Sequence, residues 1–139
     1  MDETLLAAYR ATAYRVRLAR GGWATIRIGQ PLPPVLDALT RQLPWGFITA
    51  WNPRSQPASL MENRSALRNM LTALRALPDV ALIQPAVGVA TTPPWREPSL
   101  WVVGPGTGEC DALAVRFGQL GYIHGGSDGL ATLRLTGLA

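Results

Sequence analysis

The feature that most constrains this chain is the way its apolar spacing changes period. From Glu3 to about Thr12, Leu5, Leu6 and Tyr9 fall at helical intervals, which predicts a short amphipathic helix. Tyr14, Val16 and Leu18 then alternate with Arg15 and Arg17, the two-residue period of a half-buried strand. After Arg20-Gly21-Gly22 the alternation resumes from Trp23 to Ile28. A hairpin built from these runs keeps one apolar face and leaves Arg15, Arg17, Thr25 and Arg27 on the other. Val16 opposite Ile26 and Leu18 opposite Ala24 satisfies that division. This register requires a three-residue loop, Arg20-Gly21-Gly22, with a glycine in the left-handed position.

The same logic runs down the chain. Pro31, Pro33 and Pro34 introduce a helix to about Gln42, with Val35, Leu36 and Leu39 inward, and Pro44 stops it. Phe47 to Trp51 reads as a buried strand, followed by the irregular stretch Asn52 to Pro57. Ser59-Leu60-Met61-Glu62 has the spacing of a capping box, in which the serine oxygen and the glutamate side chain each take the other residue's backbone amide. The helix it opens carries an apolar stripe of Leu60, Leu67, Met70, Leu71, Leu74 and Leu77, closed by Pro78. Arg64, Arg68 and Arg75 fall within about 40° of one another on its opposite side. Val80 to Ala90, broken by Pro85 and Gly88, fits a bulged or edge strand, and Thr91 to Pro98 a proline-rich loop. Leu100 to Val103 is a buried strand. Thr107 is placed to cap a helix to about Leu120 with Leu113, Ala114, Phe117 and Leu120 inward. Tyr122 to His124, a turn at Ser127-Asp128-Gly129, and Leu130 to Leu135 form a C-terminal hairpin. The expected fold class is α+β: a mixed, mainly antiparallel sheet with helices packed on it, in the order α-β-β-α-β-α-β-β-α-β-β, as one domain over residues 1–139.

Composition narrows the classes. A chain of 139 residues can bury a core without disulfide or metal staples, and its 47% hydrophobic content is that of a globular protein. No apolar run is long enough for a membrane span, and the acidic start Met1-Asp2-Glu3 is unlike a secretory signal. The single cysteine, Cys110, excludes an internal disulfide, so a reducing cytoplasm is the expected compartment. All 13 basic residues are arginine, with ten against four acids up to Arg75 and three against five from Ala76 onward. A basic first half suits nucleic acid or anionic ligands, but the weightier reading is a solvated exterior in a genome whose codons favour arginine.

Candidate chemistry concentrates after the strand ending at Trp51. Asn52, Arg54, Ser55 and Gln56 emerge just before a helix N-terminus, where unpaired amides and the macrodipole attract anions, so they could hold a phosphate, a carboxylate or a base edge. Their alternative is structural: Asn52-Pro53 as a turn, Ser59 and Glu62 as caps, and Asn63 bonding nearby backbone. Ile48-Thr49-Ala50-Trp51-Asn52-Pro53, then Ser59-x-x-Glu62-Asn63, Glu97-Pro98-Ser99 and Phe117-Gly118-Gln119 together resemble the bacterial domain-of-unknown-function family 3293, from about Phe47 to Ile123. The resemblance implies no activity. It implies that the Asn52 loop, Glu97 and the Gln119 region belong to one pattern, from which Thr91-Thr92-Pro93-Pro94 departs.

Glu97, between Trp95 and Pro98, is the one catalytic candidate, a general base whose pKa burial would raise; its structural alternative is an arginine partner or backbone amides. Gly104-Pro105-Gly106-Thr107-Gly108 lacks the ending of a phosphate loop and reads as a strand-to-helix turn. One histidine, His124, and one cysteine supply no ordinary metal site, and no cofactor is expected. Cys110 reads as structural. Three functions therefore stand side by side. The first is a small anionic or polar ligand held by Asn52, Arg54, Ser55 and Gln56 with Glu97 nearby. The second is RNA or single-strand binding through Arg15, Arg17, Arg27, Arg64, Arg68 and Arg75, with Trp23 as a stacking platform. The third is a homo-oligomer paired through the edge of the arginine-bearing hairpin.

Overall fold

The computed structural model describes residues 2–126 and 129–138. In chain order the elements are α1 (Glu3–Ala11), β1 (Ala13–Arg17), β2 (Trp23–Ile26), α2 (Pro34–Thr40), β3 (Trp45–Ile48), α3 (Leu60–Arg75), β4 (Leu82–Thr91), β5 (Pro94–Val103), α4 (Thr107–Arg116), β6 (Gly121–Gly125) and β7 (Thr132–Leu135), with a single 3-10 turn at Pro53–Ser55. This is the expected α+β order. The strands form one seven-stranded sheet, β2-β1-β4-β5-β3-β6-β7, whose described pairings are all antiparallel. The sheet curls until its two edges approach. Gly29 N donates to the Ala131 carbonyl at 2.8 Å and Ala131 N to the Gln30 carbonyl at 2.9 Å.

Curling divides the core in two. On the inner face Val16, Ile26, Leu36, Trp45, Trp101 and Val103 pack together, all 2% exposed or less. On the outer face α3 and α4 cover Ile48, Leu100, Val102 and Tyr122 with Met70, Leu74, Leu113 and Ala114. The capping box of α3 is formed as expected, Glu62 N donating to Ser59 Oγ at 3.1 Å and Ser59 N to Glu62 Oε1 at 3.2 Å. Asp111 on α4 ties down β7, taking both Arg134 Nε and an Arg134 terminal nitrogen at 2.7 Å. No described helix is long and apolar enough to cross a membrane.

Several local expectations are corrected. The first hairpin pairs Tyr14 with Ile26 and Val16 with Ala24, two residues away from the expected register. Its connection is the five-residue stretch 18–22, not three residues, because Gly21 and Gly22 both adopt positive φ (96° and 82°) and Leu18 N closes onto the Gly22 carbonyl. A two-residue slip leaves every side chain on its expected face. β3 starts at Trp45 and ends at Ile48, where Thr49 Oγ1 turns to bond the Pro98 carbonyl and Trp51 N bonds Thr49 Oγ1. β4 is an interior strand and not an edge, paired to β1 and to β5. Its Pro85 lies just past the β1 ladder, which ends at Val16–Ala86, so the missing N–H costs no bond there.

The proline-rich segment Thr91 to Pro98 is mostly strand, not loop. β4 and β5 pair continuously from Leu82–Val103 to Thr91–Pro94. β3 flanks β5 only from Leu100 onward, so Pro94 and Pro98 occupy an edge-like stretch that tolerates them. On α2 only Leu36 and Thr40 are buried, while Val35 and Leu39 are exposed, because a helix of seven residues touches the sheet along one narrow line. Leu60 is likewise exposed, since the first turn of α3 overhangs the sheet. Gly106, not Thr107, occupies the N-cap of α4, and Thr107 is its first helical residue. Of the expected C-terminal turn, Ser127 and Asp128 lie outside the described residues, but the β6–β7 hairpin that flanks it is formed.

Candidate functional site

The inner face has two ends of different character. Across the sheet Tyr14 pairs with Gly88 and Gly88 with Glu97, so these three share one row of the inner face. Gly88 contributes no side chain there, and Thr49, Ser99 and Gly121 stand beside Phe47 and Ile123 at the neighbouring positions. The result is a small internal cavity of about 30 Å³, lined by Glu97 with Tyr9, Tyr14, Thr49 and Ser99, which has room for about one or two water molecules. α1 closes this end. Tyr14 Oη donates to the Tyr9 carbonyl at 2.6 Å, and the Tyr9 ring meets Trp95 edge-on at 6.3 Å.

On its other side Glu97 faces an open cleft of about 510 Å³ between α1, the 52–57 loop and the tip of the β4–β5 hairpin. Leu5, Ala8, Pro93 and Trp95 give it apolar walls, and Asn52, Ser55, Thr92 and Glu97 are its polar lining. Glu97 is the one charged residue among them. Burial pushes its carboxyl up to about 7, with a hydrogen-bonding contribution from the Trp95 side chain acting weakly the other way. Tyr9 is pushed up to about 12 by burial and by the Glu97 charge, against a hydrogen bond with the Gly121 backbone. Tyr14 moves upward for the same leading reason, burial. Glu97 has no arginine partner among the described residues, where the ion pair present is Arg134–Asp111. A carboxyl in this state can both give and take a proton near neutral pH.

The loop beside the cleft is held internally. Asn52 N donates to Asn63 Oδ1, and Asn63 Nδ2 returns to Asn52 Oδ1, both at 2.8 Å; Ala58 N adds a second bond to Asn52 Oδ1 at 3.1 Å. Asn63 is 3% exposed, so its amide is a structural latch. The 117–119 segment completes the clamp: Arg54 N donates to the Gly118 carbonyl at 2.7 Å and Gln119 Nε2 to the Trp51 carbonyl at 3.1 Å. Gly118 has φ 69°, and a Cβ there would lie 2.9 Å from Pro53 Cβ, so only glycine lets the loop seat. Asn52, Arg54 and Ser55 all carry positive φ (45°, 57° and 58°), a concentration of unfavourable backbone that this network sustains.

The expected ligand residues therefore divide. Asn52 and Ser55 line the cleft together with Glu97, although Asn52 Oδ1 is already committed to the loop. Arg54 is exposed and directs a terminal nitrogen at the Leu138 carbonyl, 3.4 Å away; Gln56 is exposed and is not part of the cleft lining. The first turn of α3 is occupied by its own cap, Ser59 and Glu62. Tyr9, Thr49, Ser99 and Trp95 were not singled out from the sequence as site residues. Thr49 and Ser99 appeared only as members of the family motifs, Tyr9 as an inward position of α1, and Trp95 as part of the proline-rich stretch, none of which marks a site.

The arginines lie elsewhere. Arg15 and Arg17 stack over the Trp23 ring, 5.4 and 5.5 Å from its centroid, and a terminal nitrogen of Arg27 donates to the Ala11 carbonyl at 3.2 Å. Arg64 and Arg68 rim a groove of about 410 Å³ between α3 and β4–β5, and Arg75 rims an adjoining one of about 390 Å³. Cys110 is buried against Gly46, its thiol pushed up to about 11 by burial and by Glu109 and Asp111, which fits a structural residue. His124 is held below the usual histidine range by burial and by Arg134. Among the described residues no group of three or more His, Cys, Asp or Glu stands close enough to hold a metal ion.

No curated protein and no solved structure matches the chain. Residues 48–121, more than half of its length, match the family described as "Protein of unknown function (DUF3293)". That span runs from the end of β3 through the Asn52–Asn63 latch, α3, Glu97 and the Gly118-Gln119 clamp to the start of β6. The chain belongs to the DUF3293 family.

Proposed function

We propose that this protein binds a small molecule in the cleft bordered by Asn52, Ser55 and Glu97, with an apolar body against Leu5, Ala8, Pro93 and Trp95 and a hydrogen-bonding or cationic group at Glu97. The observation that carries this reading is the convergence of residues from α1, the 52–57 loop and β5 on one concavity ending at a buried carboxyl. Cavities with mostly apolar walls and a few convergent polar groups are the usual form of small-ligand sites, and perturbed carboxyls mark such sites. Of the two ligand classes drawn from the sequence, the polar one fits better. An anion would meet a carboxyl and no arginine. Glu97, poised to accept or release a proton near neutral pH, is the group around which any reaction of that ligand would turn.

The test is a thermal-shift series with small amides, alcohols and amines of five to ten heavy atoms, set against acetate and inorganic phosphate, at pH 6 and pH 8. Amines should stabilise the protein more at pH 8, where Glu97 is ionised, and Glu97→Gln should remove that difference. Stabilisation by phosphate or acetate alone, or amine effects unchanged in Glu97→Gln, would overturn the reading.

A further inference from the structure

The two groups of arginines, separated by more than forty positions in the chain, stand on the same side of the sheet. Strand register fixes this. Trp23 pairs with Arg17, and Thr25 pairs with Arg15, which pairs with Val87, which pairs with Pro98. Ala13 pairs with Val89 and Val89 with Arg96 in the next row. Paired residues in an antiparallel ladder point to one face. That face is the outer one, because Leu100 and Val102, in the same alternation on β5, pack under α3. α3 and α4 cover the β5, β3 and β6 part of it, and the β4, β1 and β2 part carries no helix.

What results is a shallow floor between two cationic banks. One bank is Arg15 and Arg17 on β1, braced by stacking on Trp23, which is 39% exposed. The other is Arg64, Arg68 and Arg75 on the flank of α3, spread over about 16 Å at 1.5 Å per residue. The floor between them is apolar: Pro85 is exposed, Pro98 and Trp51 are half-buried, and Val87 and Leu100 lie buried beneath them. Neither groove is lined by an acid, and none of these arginines is in an ion pair among the described residues.

We propose that this open sheet face binds single-stranded nucleic acid, with phosphates on the two arginine banks and bases lying on the floor and against Trp23 and Trp51. The charge is complementary to a polyanion. Guanidinium groups stacked on an indole keep their in-plane donors free for bidentate contacts to phosphate. An open sheet surface with aromatic faces accepts unstacked bases of any sequence, which a shallow floor does better than it holds the inserted ridge of a helical acidic peptide.

The test is fluorescence anisotropy of a labelled uridine oligomer of about twelve nucleotides, titrated at several salt concentrations. Binding should weaken linearly in log salt, with a slope of about −0.7 per phosphate contacted. The double variants Arg15→Gln/Arg17→Gln and Arg64→Gln/Arg68→Gln should each weaken binding about tenfold and each flatten the slope by about one unit, since each removes one or two contacts. Trp23→Leu should weaken binding about tenfold with the slope unchanged, and Arg116→Gln, on α4, should change neither. Circular dichroism and melting temperature confirm that each variant is folded. Loss confined to one bank, a salt-independent affinity, or no binding at low ionic strength overturns the proposal. So does binding of a leucine–glutamate peptide in place of the oligomer, which would assign the face to an acidic protein partner.

Discussion

The two ends of the curled inner face belong to one sheet and differ in what fills them. At one end Trp45 and Trp101 lie 6.4 Å apart between Ile26, Leu36 and Val103, and the sheet edges close over them through Gly29 and Ala131. At the other, Gly88 carries no side chain, Thr49 and Ser99 bring hydroxyls beside Phe47 and Ile123, and the Glu97 carboxyl lies among them. The first end is built for stability. The second gives up apolar burial to keep a polar group inside, the usual signature of a site. α1 closes it with little more than Tyr9, and no residue of that helix is fully buried.

Substitutions can test that contrast. The largest effect belongs to the filled end: Trp101→Ala should cost about 3–5 kcal/mol in denaturant unfolding, as removal of a fully buried aromatic does. A loss below about 1 kcal/mol would show that this end is not the stabilising one.

The next effect is a pH dependence at the open end. Glu97 sits at about 7 in the fold against an ordinary value near 4.5, so the folded state holds its proton longer than the unfolded chain. Its contribution to stability is complete below about pH 4.5 and is lost as pH rises through about 7, with a slope of at most about 1.4 kcal/mol per pH unit between them. Glu97→Gln should flatten that part of the stability profile. An unchanged slope in the variant would mean that the carboxyl is solvated and the open end is not a buried polar site.

The smallest and most discriminating pair uses glycines of the same face. A Cβ at Gly125 would lie 2.7 Å from Trp45 Nε1, so Gly125→Ala should cost about 1–3 kcal/mol by overpacking. At Gly88 the nearest atom, Thr12 Cγ2, is 3.5 Å away, and Gly88→Ala should change stability by no more than about 0.5 kcal/mol. Equal costs at the two positions would erase the distinction between the ends.

Much of the fold was legible in the chain because short-range rules govern it. The capping box of α3 depends on residues three apart, and it formed as read. The division of Tyr14 and Val16 from Arg15 and Arg17 follows from alternation alone, and survived even though the hairpin register moved by two. The readings that moved involved neighbours distant in sequence. Thr91 to Pro98 looked like a loop because its prolines are poor strand formers, yet at an edge of β5 they cost nothing. Val35 and Leu39 looked inward because periodicity does not say how much sheet a helix meets.

The candidate site was legible in part for the same reason. Glu97 stood out as a carboxyl among apolar neighbours, and Asn52 and Ser55 as polar residues in an irregular stretch. Nothing local tied Tyr9 or Trp95 to them, since α1 and β5 meet only after the sheet has curled.

By itself the sequence determined the order of elements, the two faces of the first hairpin, the capping box of α3 and the absence of an internal disulfide, all set by bonds and periods within a few residues. Only the tertiary structure decided which end of the inner face stays open, that Glu97 has no arginine ion-pair partner among the described residues, and that two separate arginine groups share one outer face. Those outcomes depend on curl and on long-range pairing, which place residues tens of positions apart side by side.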